Sequence, residues 1–408
     1  FIRVMTTPLL QLIKGDRLIE FENKMAYENW LETATDQHTW EHKFIKGLGG
    51  LETDDCVRLF SAYNDRYIKF NWTDQSADAL DLAFHKKKAD DRKVWLGGYD
   101  RNNIMDTTQR DTTYENFINQ DLIHFSTYDN ERSIPSAIDG QKTSMRKILY
   151  TCLSRKYKSN TKVISIGGAV IEHSLYHHGD ASLYQTIIGL SQDFTGSNNI
   201  NLLHPGGQMG SRLMGGKDFA SPRYVETYIE PIAMKLIREE DIYVLPYRYE
   251  HGQRIGPDYF MPIIPLILVN GMEGIGTGYN TAIPAHNPLD IIDNVRRYIN
   301  NEPMEIIYPW YRGFTGTIRP SESTVSGEHV HKFESLGIWS LRSNKLIIDE
   351  LPISIWTTDY KAHLESLMED PSKNDDKKEV KGKGKGKKKI SQKIIVSYDD
   401  TKNTDTTI

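Results

Sequence analysis

The chain has 408 residues, with 50 Lys and Arg against 55 Asp and Glu, for a formal net charge of -5. That length exceeds one ordinary core, so two or three domains are expected, and the 26% charged and 38% hydrophobic content is the profile of a soluble globular protein. The slight acidity argues mildly against nucleic-acid binding, although a large protein can carry a local basic groove under any net charge.

Phe1-Ile2-Arg3-Val4 has neither an initiator Met nor a signal-peptide pattern, so the sequence is read as a piece of a longer protein. Ile2 to Ile13 is strand-like, Glu22 to Thr33 is an acidic helix, and Lys46-Gly47-Leu48-Gly49-Gly50 is a glycine turn. Cys56 and Cys152 stand far apart, which excludes a disulfide framework or zinc ribbon and favours a reducing compartment. Ala79 to Leu96 reads as one helix carrying Lys86-Lys87-Lys88, and 101–113 as a polar linker. From Tyr114 to Tyr249 apolar residues recur at helical spacing along Phe117 to Phe125, Met145 to Leu153 and Ser182 to Phe194. Pro135, Pro205 and Pro222 punctuate this stretch, and Gly206-Gly207 and Gly215-Gly216 suit the wings of a winged-helix (helix-turn-helix) module.

Beyond 250 strands are expected at Pro262 to Val269, Gly316 to Arg319, Lys345 to Ile348 and Lys393 to Ser397. The apolar run Tyr259 to Val269 is interrupted by Pro262 and Pro265, and it falls short of the roughly 20 residues of a membrane span. The Lys-Gly alternation within 375–389 cannot bury a core and is read as a disordered basic insertion.

Three clusters carry chemistry. Gly206 to Tyr224 contains five glycines whose backbone N–H groups can approach an anion, with Arg212, Lys217 and Arg223 adding positive charge. A tyrosine phenol is a poor nucleophile unless cations or a base favour its ionised form, and Arg223 beside Tyr224 also suits a bidentate grip on phosphate. A packed strand tyrosine beside a surface arginine fits the same residues. In Tyr176-His177-His178-Gly179-Asp180, His173 and His177 could share a helix face, but no third metal ligand stands at a suggestive spacing. Asn130 to Ser136, followed by Lys142, Arg146 and Lys147, places cations at a loop leading into a helix, as phosphate contacts do or as plain surface charges do.

Five stretches, Asn130 to Lys147, Tyr176 to Asp180, Phe194 to Leu203, Gly215 to Tyr224 and Glu273 to Gly278, resemble the eukaryotic-type (type IIA) DNA topoisomerase II family, in the same order. Residues 46–49 and Ala83 to Leu96 resemble the tail of that family's Toprim domain. Bacterial relatives place Toprim and tyrosine domains on separate subunits, so the continuous chain fits a eukaryotic or large-DNA-virus form. The resemblance implies an α+β multidomain core. Its parts are the C-terminal part of a Toprim α/β domain with linker (1–113), a winged-helix domain (114–249) and a strand-rich tower domain (250–408).

It further implies that Tyr224 attacks the scissile phosphate and keeps a 5′-phosphotyrosyl bond, with Arg223 stabilising the transition state. Arg132, Lys142, Arg146, Lys147 and His178 would bind DNA backbone near the break, and Lys86, Lys87, Tyr176, Ser182 and Trp356 match further contacts. Ile275 matches a wedge that enters the base stack and bends the duplex, where a core residue capping the run Ile263 to Val269 is the plainer reading. The implied partners are double-stranded DNA and a second copy of the chain, with no membrane. The implied cofactors are Mg²⁺, whose acidic ligands would lie upstream of residue 1, and ATP, whose domain would lie outside these residues. The 408 residues alone are expected to bind DNA without cleaving it. The nucleus is the expected compartment, or a viral factory or host cytoplasm for a viral form. Two rivals are a non-catalytic winged-helix DNA-binding protein and a phosphotransferase using His177 or His178; Tyr224 with Arg223 disfavours the first, and the lack of a Walker A sequence the second.

Overall fold

A computed structural model of the chain describes residues 2–45, 51–107, 109–250, 253–321, 332–368, 395 and 397–399. The chain divides into two compact units, Phe1–Ser133 with Ile275–Asn280, and Ile134–Gly274 with Thr281–Ile408. The expected glycine turn at 46–50, the insertion at 375–389 and most of the strand expected over 393–397 lie outside the described residues.

In the first unit β1 (Arg3–Met5) is followed by the hairpin β2 (Leu10–Lys14) and β3 (Arg17–Phe21). Helix α1 (Lys24–Thr33) starts where the Asn23 side chain accepts from the Ala26 N–H, a helix-start device that sets its first residue. Strand β4 (Glu41–Phe44) returns antiparallel to β2, and the sheet buries Leu10, Leu12 and Phe21 against Tyr27 and Trp40. Helices α2 (Thr53–Ser61) and α3 (Tyr63–Arg66) lead to β5 (Tyr67–Asn71), and α4 (Ser76–Phe84) and α5 (Ala89–Gly97) follow. Sequence periodicity predicts one helix here; the chain breaks it at His85. Three adjacent lysine charges disfavour a continuous turn, while Asp90 and Asp91 suit the start of a new helix. Part of the expected linker is strand, since β6 (Asp111–Thr113) pairs in parallel with β5. Helix α6 (Tyr114–Phe117), a π-helical stretch (Ile118–Leu122) and α7 (Ile123–Ser133) complete the unit's first segment.

The second unit packs α8 (Thr143–Ser154), α9 (Val163–Ser174) and α10 (Asp180–Ser191) around Ile148, Leu149, Ile166, Val170, Leu183 and Ile187. Strand β7 (Thr161–Lys162) pairs antiparallel with β8 (Glu226–Thr227), and α11 (Pro231–Leu236) precedes the hairpin β9 (Tyr247–Glu250) and β10 (Gln253–Pro257). The expected strand at Pro262 to Val269 is not one: Leu266–Asn270 forms a short helix, α12. Two prolines deny the ladder its donors, and Pro265 instead precedes a helical turn, where a missing N–H costs little. Strands β11 (Met272–Ile275) and β12 (Asn280–Ile283) pair, and α13 (Pro288–Ile299) follows. Then β13 (Thr317–Pro320) pairs with β14 (Phe333–Leu336), β15 (Ile338–Arg342) with β16 (Lys345–Glu350), and α14 (Thr357–Met368) closes the described fold.

Asn199 explains why the run Gly196 to Leu203 is so distinctive. Its Nδ2 reaches the carbonyls of Val269 (2.8 Å), Trp310 (3.0 Å) and His286 (3.1 Å), and its Oδ1 accepts from the Arg312 N–H at 2.8 Å. One buried amide thus ties three distant segments to the loop after α10. Asn199→Ala is expected to destabilise the chain by about 3 kcal/mol, because buried backbone groups lose their partner. A urea midpoint unchanged from wild type would show that the segments hold together without it.

Candidate active site

Tyr224 is placed by strand alternation. Val225, Thr227 and Ile229 are buried at 1%, 0% and 1%, so the intervening positions face outward, and Tyr224 is 74% exposed. The turn before it is closed by the Tyr224 N–H on the Ser221 carbonyl at 2.8 Å. Helix α9 holds this turn at its own N-terminus: the Val163 and Ile164 N–H groups donate to the carbonyls of Val225 and Pro222, each at 3.1 Å. The start of a helix, with its unpaired N–H groups and positive dipole end, is therefore directed at the segment that carries the nucleophile. Arg223 is exposed, and its guanidinium has no partner among the described residues. Tyr228, on the same side of the strand, is stacked on His204 at 4.3 Å.

The glycine-rich loop before Tyr224 folds back on itself. A β-carbon on Gly210 would stand 2.5 Å from the Gly216 carbonyl oxygen, and both positions have left-handed backbone. Asp218 closes the loop, accepting from the Ser211 N–H at 2.8 Å and its hydroxyl at 2.5 Å. Gln192 at the end of α10 donates to the Met209 and Gly216 carbonyls at 2.8 and 2.9 Å. Trp356 lies against Gly215, where an added β-carbon would come within 2.5 Å of the indole, and it meets Phe194 edge-on. Trp356 and the glycine loop are therefore brought together.

Arg212, counted in the sequence as part of the loop's positive charge, is instead buried. It donates to Glu350 Oε1 at 2.8 Å and to the Leu351 carbonyl at 2.7 Å. Glu350 Oε2 accepts from the Thr315 N–H and hydroxyl at 2.9 and 2.5 Å. Burial alone would raise the Glu350 carboxyl, but the bonds from Thr315 and Arg212 outweigh it and hold it below its ordinary value.

Among the sequence-predicted phosphate contacts of the second unit, Arg146 is buried and bidentate to Asp139, at 2.8 and 3.1 Å. Lys147 donates to the Ser174 and Leu175 carbonyls at 2.7 and 3.2 Å, capping the C-terminal end of α9. Lys142 stands at the start of α8, where a cation is the wrong sign for the helix dipole, so the position suits an incoming anion. Burial holds the ammonium groups of Lys142 and Lys147 below the ordinary lysine value, and an approaching phosphate would raise both again. Tyr176 is buried edge-on to His178 at 5.4 Å, and Ser182 is exposed in the first turn of α10. His173 and His177 do not share a helix face, because α9 ends at Ser174 and Leu175 takes a left-handed conformation. His173 stacks on Tyr150, and His177 lies 2.9 Å from Glu250.

In the first unit Lys86 and Lys87 are exposed in the turn between α4 and α5, and Arg132 is exposed in the last turn of α7. Ile275 is 82% exposed, which removes the core reading of that residue.

The DNA gyrase/topoisomerase IV family model matches residues 132–408, and that for the C-terminal associated domain of Toprim matches residues 5–130. The chain belongs to the type IIA DNA topoisomerases. It is 43% identical over 373 residues to the DNA topoisomerase 2 of Plasmodium falciparum, covering 91% of this chain and 26% of that relative. With the DNA topoisomerase 2 of Arabidopsis thaliana it shares 44% over 375 residues, covering 91% and 25%. The crystal structure of the Plasmodium falciparum topoisomerase II DNA-binding, cleavage and re-ligation domain superposes with a TM-score of 0.72 at 43% identity, over 92% of this chain and 50% of that one. The chain spans about a quarter of the length of the curated relatives it matches.

This type IIA topoisomerase chain owes its loop geometry to residues that sequence reasoning gave no role. Asp218 was visible as the last residue of Gly-Gly-Lys-Asp, but its partner Ser211 is not deducible from spacing; Gln192 and Asp139 carry no local signal at all. Among the described residues no group of three or more His, Cys, Asp or Glu could hold a metal ion, so the described side chains do not form a Mg²⁺ site. No helix of the described residues is long and apolar enough to cross a membrane.

Proposed function

We propose that this chain performs the DNA cleavage and religation step of an ATP-hydrolysing type IIA topoisomerase, with Tyr224 as nucleophile. The observation that carries this reading is Tyr224 itself, a large aromatic side chain 74% exposed beside the unpaired Arg223 and held by a glycine loop and a helix N-terminus. Its phenolic oxygen attacks the scissile phosphorus and gives up its proton. The bond from phosphorus to the 3′-oxygen breaks, and that oxygen leaves as a 3′-hydroxyl after taking a proton. The 5′-phosphate stays on Tyr224, and reversal reseals the strand. Arg223 holds the non-bridging oxygens as charge builds on them.

Lys142, Arg146, Lys147, Tyr176, His178, Ser182 and Trp356 in the second unit, with Lys86, Lys87 and Arg132 in the first, are proposed to bind the duplex, and Ile275 to wedge into it. Here the buried Arg146 and Lys147 shape the groove while their charge draws in phosphate. The organisation proposed is a Toprim tail (1–113), a winged-helix domain (114–249) and a tower domain (250–408). Two copies would cut both strands with paired tyrosines and pass a second duplex through the gap, in the nucleus or, for a viral form, the viral factory. The Mg²⁺ and ATP of the whole enzyme are assigned to parts of the relatives' length that these residues do not span.

The test is to denature a reaction of the full-length enzyme on DNA labelled at either end of the broken strand. The expected adduct is on the 5′-phosphate; a 3′-adduct, or none, would overturn the assignment. Arg223→Ala is expected to slow adduct formation on the order of 10²-fold, as loss of one transition-state donor does.

A further inference from the structure

Ile275 is bare, but the turn that follows it is not. The Gly276 N–H donates to the Tyr279 carbonyl at 2.9 Å, closing the turn. Asn130 of α7 donates from Nδ2 to the Thr277 carbonyl at 3.1 Å, and its Oδ1 lies where any β-carbon on Gly276 would collide. From α5, the Arg92 Cβ comes within 3.1 Å of the place a β-carbon on Gly278 would occupy, and Gly278 has φ of +76°. The Lys93 ammonium stands 6.0 Å from the centre of the Tyr279 ring. Each residue from Gly276 to Tyr279 thus meets a side chain of α5 or α7.

Arg92 has a second set of contacts. Its Nη1 donates to the carbonyls of His85 at 3.0 Å and Leu82 at 3.1 Å, with Ala83 at 3.5 Å. These carbonyls end α4, immediately before Lys86 and Lys87. One residue therefore fixes both the helix end that leads into the exposed lysines and the turn that follows Ile275.

An isoleucine 82% exposed gains no direction from packing. Its aim depends on its backbone, and a loose hairpin tip would have to be ordered at the moment of binding, on top of the few kcal/mol needed to unstack a base step. We propose that Asn130 and Arg92 are positioning residues that aim Ile275 at the duplex and hold it in fixed register with Lys86 and Lys87. The inference rests on the reading of Ile275 as a wedge.

The experiment measures, in the full-length enzyme, the bent fraction of a duplex carrying a fluorescent donor and acceptor, together with strand cleavage, duplex affinity and the thermal midpoint. Asn130→Asp is nearly isosteric and replaces the donor to Thr277 by an acceptor; Arg92→Lys keeps charge and stem but loses the planar fork. Each is expected to lower the bending equilibrium about five-fold, the factor one net hydrogen bond is worth, with cleavage falling in parallel. Duplex affinity at low salt, which phosphate contacts set, should stay within about two-fold. In the Ile275→Ala background neither change should lower bending further. Bending that Ile275→Ala leaves untouched would sink the wedge reading itself. If Ile275→Ala reduces bending while Asn130→Asp and Arg92→Lys do not, the wedge stands and the positioning role is wrong. Additive losses in the double variants would likewise overturn it, because the two residues would then act apart from Ile275. Should Asn130→Asp fail to fold, Arg92→Lys carries the same comparison.

Discussion

Tyr224→Phe is expected to abolish covalent protein–DNA adducts while leaving DNA affinity within about two-fold and stability within roughly 0.5 kcal/mol. The phenol oxygen has no hydrogen-bond partner among the described residues, so its removal orphans nothing. The ring is 74% exposed and adds little to the core. What disappears is the atom that forms the bond to phosphorus, and no neighbour is set to replace it. Tyr228 lies on the same side of the strand, but its ring is stacked on His204 at 4.3 Å, and His204 in turn contacts Glu230 at 2.8 Å. The measurement is denaturant-trapped adduct on labelled DNA beside a binding isotherm and a thermal melt. Adducts persisting at wild-type level would mean that another side chain is the nucleophile. A collapse of DNA affinity would mean that the phenol binds rather than reacts.

The helices that carry periodic apolar residues, Thr143–Ser154 and Asp180–Ser191, were legible because burial on one face imposes a repeat that survives any tertiary context. Tyr224 was legible as chemistry because Arg223 is its neighbour in sequence as well as in space. Its exposure follows from the alternation of Val225, Thr227 and Ile229, which the same residues already display. The partners of charged groups were not legible. Arg212, Arg146 and Lys147 look alike as cations, yet one meets a carboxylate 138 positions away, one a carboxylate seven away, and one two backbone carbonyls. Apolar runs misled for a related reason: Pro262 to Val269 is apolar enough for a buried strand, and only its two prolines forbid one. The broken helix at His85 is a third case. Local helix propensity extends through Lys86 to Lys88, but Arg92 returns to cap the first helix at its end.

The Arg212–Glu350 pair makes the largest stability prediction. Both side chains are almost wholly buried, 4% and 3% exposed, and every polar atom of the carboxylate is used. Glu350→Ala is expected to cost roughly 3–5 kcal/mol, because it leaves the guanidinium buried without a counter-charge and strips the Thr315 N–H and hydroxyl of their acceptor. Replacing both partners, as in Arg212→Met with Glu350→Leu, should recover most of that loss, since no uncompensated charge remains. Cleavage should not recover with it. The Leu351 carbonyl and Glu350 are what fasten the turn Arg212–Met214, and with it the glycine loop that precedes Tyr224, to strand β16. The pH dependence has a definite sign. Glu350 is held below its ordinary value in the folded chain, so its contribution is complete above the unfolded glutamate pKa and is lost only as pH falls through the lower folded one. The difference in urea midpoint between wild type and Glu350→Gln should therefore stay constant from neutral pH down to the ordinary glutamate range and close below it. A difference that vanished near neutrality would mean that Glu350 is protonated there, and that Arg212 is held by neutral hydrogen bonds rather than by an ion pair.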